Sequence, residues 1–135
     1  MCGLVGVVDA RGVSSAVLRE MTCALSHRGP NDSGLLCFDP DARQFIEPHP
    51  ETAHERRYPL AIGFRRLSIL DTSTLGHQPM VSLDGRYAIA YNGELYNFHD
   101  LRAELIARGC HFRSKTDTEL FFGSTNCMDP LCFLG

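Results

Sequence analysis

The first eight residues, Met1-Cys2-Gly3-Leu4-Val5-Gly6-Val7-Val8, constrain the fold more than any other stretch. An unbroken run of small and β-branched apolar residues reads as a strand buried in a sheet. It is too short to span a bilayer, and Asp9 and Arg11 close it without a signal-peptide ending. A strand starting there holds Cys2 at the sheet's edge. Once Met1 is removed, Cys2 carries a thiol and a free α-amino group on one carbon, so the nucleophile comes with its own base. α-Amino groups are partly unprotonated at neutral pH, and a thiolate needs only modest assistance to react. The alternative is a cysteine that merely pads a buried strand.

Composition narrows the class. The 135 residues suffice for one domain, and 44% hydrophobic with 21% charged residues describes a soluble globular protein. Thirteen basic against sixteen acidic residues give a net charge of −3 with no basic run, which argues against nucleic acid or an anionic membrane as partner. A cytoplasmic location follows as the expectation. Six cysteines form no C-x-x-C pair, and the histidines lack zinc-finger spacing, so no metal site is expected. Without a mark of secretion, reduced thiols filling core space are expected.

Along the chain, Asp9 to Gly12 reads as a turn, and Ser14 or Ser15 caps a helix. Its predicted inner face is Val17 or Leu18, Met21, Ala24 and Leu25, ending near His27. Arg28-Gly29-Pro30-Asn31-Asp32-Ser33-Gly34 breaks regular structure, residues 34–38 form a short strand, and residues 39–57 read as a surface loop. Strand character returns over 58–69. Leu83-Asp84-Gly85 makes a hairpin turn between 80–82 and 86–91. A second helix covers about 98–108, with Leu101, Leu105 and Ile106 inward and Gly109 as its stop. Residues 110–114 read as a strand, and Thr116-Asp117-Thr118-Glu119 as a capping box opening a third helix. The alternation indicates an α+β or α/β sandwich, with residues 121–135 lacking a clear period.

Three groups could support Cys2. Asn92-Gly93-Glu94 follows an apolar strand, and an Asn NH₂ with the Gly93 N–H suits an oxyanion site. A plain Asn-Gly turn is the bland reading. Arg66 offers a planar fork for an α-carboxylate, while Asp117 and Glu94 offer acceptors for an α-ammonium. Singly, each reads as a solvated surface charge. Arg28 reads as a residue that orders its own loop.

Six stretches appear in one order: Met1-Cys2-Gly3-Leu4-Val5-Gly6, His27-Arg28-Gly29-Pro30, Arg65-Arg66-Leu67-Ser68-Ile69, Gly76-His77-Gln78-Pro79-Met80, Tyr91-Asn92-Gly93-Glu94-Leu95-Tyr96-Asn97 and Thr116-Asp117-Thr118-Glu119. Together they resemble the class II, N-terminal-nucleophile glutamine amidotransferase domain of the glutamine-hydrolysing asparagine synthetase family. The resemblance covers residues 1–120 and implies an α+β chain folded as the αββα sandwich of N-terminal-nucleophile hydrolases. It implies Cys2 as the nucleophile that forms a γ-glutamyl thioester and releases ammonia, with Asn92 and Gly93 as the oxyanion hole. Arg66, Leu67, Ile69, Glu94 and Asp117 would hold L-glutamine. No cofactor is implied for the glutaminase step. ATP and Mg belong to a synthetase domain expected in cis, whose Ser-Gly-Gly-x-Asp-Ser loop is absent from this sequence.

Asn31 stands where the family often has Asp, and Phe64 where it often has His. After Leu120 the pattern departs, so residues 121–135 read as an aberrant tail on a C-terminally truncated domain and the sandwich as incomplete. The alternatives are an inactive or partner-binding remnant, and another class II amidotransferase with a different ammonia acceptor. The reading leaves room for a homo-oligomer.

Overall fold

The computed structural model describes residues 1–49, 56–67 and 74–123. Four strands form one antiparallel sheet: β1 (Gly3–Ser14), β2 (Asp32–Asp39), β3 (Gln44–Ile46) and β4 (Arg57–Arg66), in the order β1-β4-β2-β3. Helix α1 (Ser15–Ala24) follows β1 directly. The result is a mixed α/β structure on an antiparallel sheet.

Register explains the first core. Val5 pairs with Gly63, which faces Leu35, and Val7 pairs with Ala61, which faces Cys37, so these residues share a face. With Leu18 of α1, Cys37 and Ala61 belong to a cluster that also includes Val13 and Tyr58. Ser14 caps the helix, its hydroxyl accepting from the Val17 N–H. The buried stripe is Ser15, Leu18 and Thr22, whereas Met21 and Ala24 are exposed. The helix is thus rotated from the expected face. The reason is Gly63, beneath Thr22: a Cβ there would lie 1.9 Å from the threonine Oγ1. That hydroxyl is satisfied within the helix by the Leu18 carbonyl at 2.7 Å, so it can be buried.

Other expectations change for local reasons. Asp9 to Gly12 is not a turn that ends the strand but an irregularity within β1. Its register shifts between Val8 and Val13, and Gly12 takes a φ of 74°. The loop expected over 39–57 contains β3, paired to β2 through Cys37–Ile46 and Phe38–Phe45.

The other sheet face turns toward the site. Gly34 lies under the loop at Gln78, where a Cβ would come within 2.0 Å of the Gln78 carbonyl. A short 3₁₀ turn at Thr74–Gly76 leads into that loop. The expected hairpin is present as β5 (Met80–Val81) and β6 (Ala88–Ile89). At its turn, the Ser82 hydroxyl and Arg86 N–H hold the Asp84 carboxyl below the usual carboxylate range.

Helix α2 (Phe98–Ala107) buries Leu105 against Cys110 and Leu120, with Leu101 packed beside them. Ile106, expected inward, is 53% exposed. Residues 110–114 are not a strand. The buried Glu119 carboxylate accepts the Arg113 and Ser114 N–H groups at 2.9 and 2.7 Å, taking up donors a strand would offer its neighbour. The same bonds replace the expected capping box. The third helix is a 3₁₀ segment, Thr118–Phe122, with no side-chain bond at its cap. Cys2, Cys23 and Cys37 are free thiols, but Cys110 is disulfide-bonded, contrary to the all-reduced expectation. No described helix is long and apolar enough to cross a membrane.

Candidate active site

Strand β1 begins one residue after Cys2, and β4 ends one residue before Leu67, so antiparallel pairing brings the two together. The Leu67 N–H donates to the Cys2 sulfur at 3.3 Å, and the thiol lies 3.8 Å from the Leu67 carbonyl. The Cys2 carbonyl accepts from Arg28 Nε at 3.0 Å. Arg28 therefore holds the cysteine backbone, a larger role than ordering its own loop. Beside it, Gly29 packs against the Arg65 carbonyl, where a Cβ would sit 2.4 Å away. Arg65 Nε donates to the Gly29 carbonyl at 2.9 Å. The Arg-Gly-Pro turn is thereby locked onto the end of β4.

The nitrogen of Cys2 donates to Asn92 Oδ1 at 3.1 Å. An amide that accepts through oxygen keeps its NH₂ for another acceptor. Gly93 has no room for a side chain, since a Cβ would meet the Tyr91 ring at 2.4 Å. The Tyr91 ring in turn meets Phe121 edge-on, with centroids 5.0 Å apart.

Cys2, Leu67, Tyr91, Asn92 and Gly93 border a cavity of about 410 Å³. Cys2, Arg66, Leu67, Asn92, Gly93, Glu94 and Asp117 all line it, while Ile69 lies outside the described residues. Arg66 and Asp117 are each 6% exposed, so a guanidinium and a carboxylate face one space with little water to screen them. Arg66 is closely packed by Gly76, where a Cβ would come within 2.1 Å of Nη2. Asp117 Oδ2 accepts the Leu95 N–H at 2.9 Å. Such a cavity suits a small zwitterion bound within reach of a thiol.

Met1, Gln78, Tyr91, Thr116 and Thr118 also line the cavity and were not singled out by the sequence. All five nevertheless lie within the matched Met1–Gly6, Gly76–Met80, Tyr91–Asn97 and Thr116–Glu119 stretches. Their position beside chosen residues was the available signal.

Comparison with known proteins identifies the family. The sequence profile of the glutamine amidotransferase domain family matches residues 48–129. Asparagine synthetase [glutamine-hydrolyzing] 1 of Bacillus subtilis (strain 168) is 33% identical, over 92% of this chain and 17% of the relative. The same organism's asparagine synthetase [glutamine-hydrolyzing] 3 is 36% identical, over 97% of this chain and 20% of the relative. Glutamine–fructose-6-phosphate aminotransferase [isomerizing] of Symbiobacterium thermophilum is 31% identical, over 89% and 21%. The chain thus spans about a fifth of the length of these curated relatives. With the family profile matching more than half of its residues, the chain belongs to the glutamine amidotransferase domain family, class II in type.

Proposed function

We propose that this chain hydrolyses L-glutamine to glutamate and ammonia through a thioester on Cys2. The observation that carries the reading is the cavity-lining cysteine with its sulfur on the Leu67 N–H and its nitrogen on Asn92. After Met1 is removed, the freed α-amine takes the thiol proton and the sulfur attacks the side-chain amide carbon. Asn92 Nδ2 and the Gly93 N–H stabilise the resulting oxyanion. Collapse breaks the C–N bond, and the α-ammonium protonates the departing nitrogen, which leaves as ammonia. Water, deprotonated by the α-amine, then attacks the thioester, releasing glutamate and restoring the thiol.

Arg66 holds the substrate carboxylate, Glu94 and Asp117 receive its ammonium and amide groups, and Leu67 and Ile69 contribute backbone contacts. The reading draws on no cofactor for this step. ATP and Mg would serve a synthetase domain in cis, which would convert the ammonia to asparagine. The small part of each relative covered by this chain supports such a partner. Similarity to the Symbiobacterium aminotransferase favours a second reading, in which the acceptor is a sugar phosphate. The αββα sandwich belongs to this proposal; the four-stranded sheet with α1 on one face supports it.

The test is ammonia release from glutamine, with intact mass to establish the N-terminus. A diazoketone analogue of glutamine should add one equivalent to the Met1-processed chain. Labelling that persists in Cys2→Ala, or turnover with Met1 retained, overturns the mechanism.

A further inference from the structure

Gln78 is 7% exposed, and its side chain joins two walls of the cavity. Oε1 accepts the Tyr91 N–H at 2.8 Å, and Nε2 donates to Thr118 Oγ1 at 3.1 Å. The amide orientation is chemically fixed, because a main-chain N–H requires an acceptor opposite it. Since Nε2 only donates, the Thr118 oxygen must accept, and its single proton is left for Asp117 Oδ1, 3.4 Å away. Asp117 Oδ2 already holds the Leu95 N–H. The bonds from Tyr91 through Gln78, Thr118 and Asp117 to Leu95 therefore close a ring around Asn92, Gly93 and Glu94.

The geometry points to Gln78 as a positioning residue that sets one fixed spacing between the Asn92–Glu94 segment and Asp117. This rests on the glutaminase reading, in which the first supplies oxyanion donors and the second receives the substrate ammonium. Gln78 touches neither thiol nor substrate in that scheme. It acts by directing the Thr118 proton onto Asp117 and by anchoring the segment's start. Because both ends of a buried amide are used, neither a shorter nor a purely accepting side chain can replace it.

Two variants separate the two ends. Gln78→Glu keeps the size and the acceptor for Tyr91, but turns the second contact into an acceptor that draws the Thr118 proton away from Asp117. Gln78→Met keeps the bulk and loses both bonds. In the Glu variant, KM for glutamine should rise roughly 10- to 100-fold with kcat nearly unchanged. In the Met variant, kcat should fall roughly 10- to 100-fold as the oxyanion donors drift. Iodoacetamide, which needs no oxyanion site, should still alkylate Cys2 at the wild-type rate in both.

Amide hydrogen exchange gives an activity-independent readout. Tyr91 protection should persist in the Glu variant and be lost in the Met variant. Unchanged Tyr91 protection in Gln78→Met overturns the bridge, as does an active wild type whose Glu variant shows no KM–kcat split. If the wild type releases no ammonia, the glutaminase reading falls while exchange at Tyr91 still decides the bridge. If Gln78→Met does not fold, Gln78→Glu decides through its split and its retained Tyr91 protection; loss of either overturns the assignment.

Discussion

The nitrogen of Cys2 donates to Asn92 Oδ1 across 3.1 Å although ninety positions separate the residues. With Met1 attached that nitrogen is a peptide amide; with Met1 removed it is the proposed base. One side chain thus holds the base through its oxygen and offers the oxyanion its NH₂. Asn92→Asp separates the roles, keeping an acceptor for Cys2 while replacing the NH₂ donor with negative charge. Ammonia release should fall about 10²- to 10³-fold. Iodoacetamide should still label Cys2.

Asp117→Asn tests recognition. An Asn oxygen can still accept the Leu95 N–H, so the loop should keep its place. The charge offered to the substrate ammonium is lost, together with the Oδ1 acceptor for the Thr118 hydroxyl. Steady-state kinetics should show KM for glutamine raised by about 10-fold or more, with a smaller change in kcat.

The contact between α1 and β4 predicts a stability effect remote from the cavity. In Gly63→Ala the new methyl meets Thr22, so urea unfolding should show a loss of about 1–3 kcal/mol. Adding Thr22→Ala removes the obstructing hydroxyl. The double variant should lose less than the sum of the two single changes.

Burial pushes the Cys37 thiol up from the usual 9.0 to about 11. The folded chain therefore binds this proton more tightly than the unfolded chain. Stability is fully present below about pH 9 and should fall as pH rises toward 11, by roughly 3 kcal/mol at most. Tyr58, also raised chiefly by burial, adds a loss of the same sign at higher pH. Denaturant melts of wild type and Cys37→Ala across this range should show a shallower decline in the variant. At neutral pH in the folded chain, iodoacetamide should spare Cys37 and modify the exposed Cys23.

Much of the cavity wall was legible because short motifs carried it. Arg66-Leu67, Asn92-Gly93-Glu94 and Asp117 are recognisable in sequence, and the structure brings them to one space with Cys2. Their catalytic roles remain part of the proposed reading. What the sequence concealed were contacts without a local period. Gln78 resembled any loop amide until Tyr91 and Thr118 were placed at its two ends. Glu119 resembled a capping residue because spacing alone does not show that its carboxylate turns back to Arg113 and Ser114.

The sheet shows the same division. The apolar runs in β1, β2 and β4 announced themselves, whereas β3 is three residues long and sits in a polar stretch. Its turn depends on Asp39 accepting from the Asp41 and Ala42 N–H groups and on Arg43 at a φ of 52°. α1 was recognised and Leu18 lies inward as expected, but Met21 and Ala24 are exposed and Thr22 is buried in their place, over Gly63.

Cys2 meets Leu67 and Asn92 from 65 and 90 positions away. Contacts of that span require long loops to close before any of them contributes, which makes them late events in folding. The reactive centre is therefore also a gauge of completed topology. During refolding, labelling of Cys2 by the diazoketone analogue of glutamine, which needs the assembled cavity, should appear later than the helicity of α1.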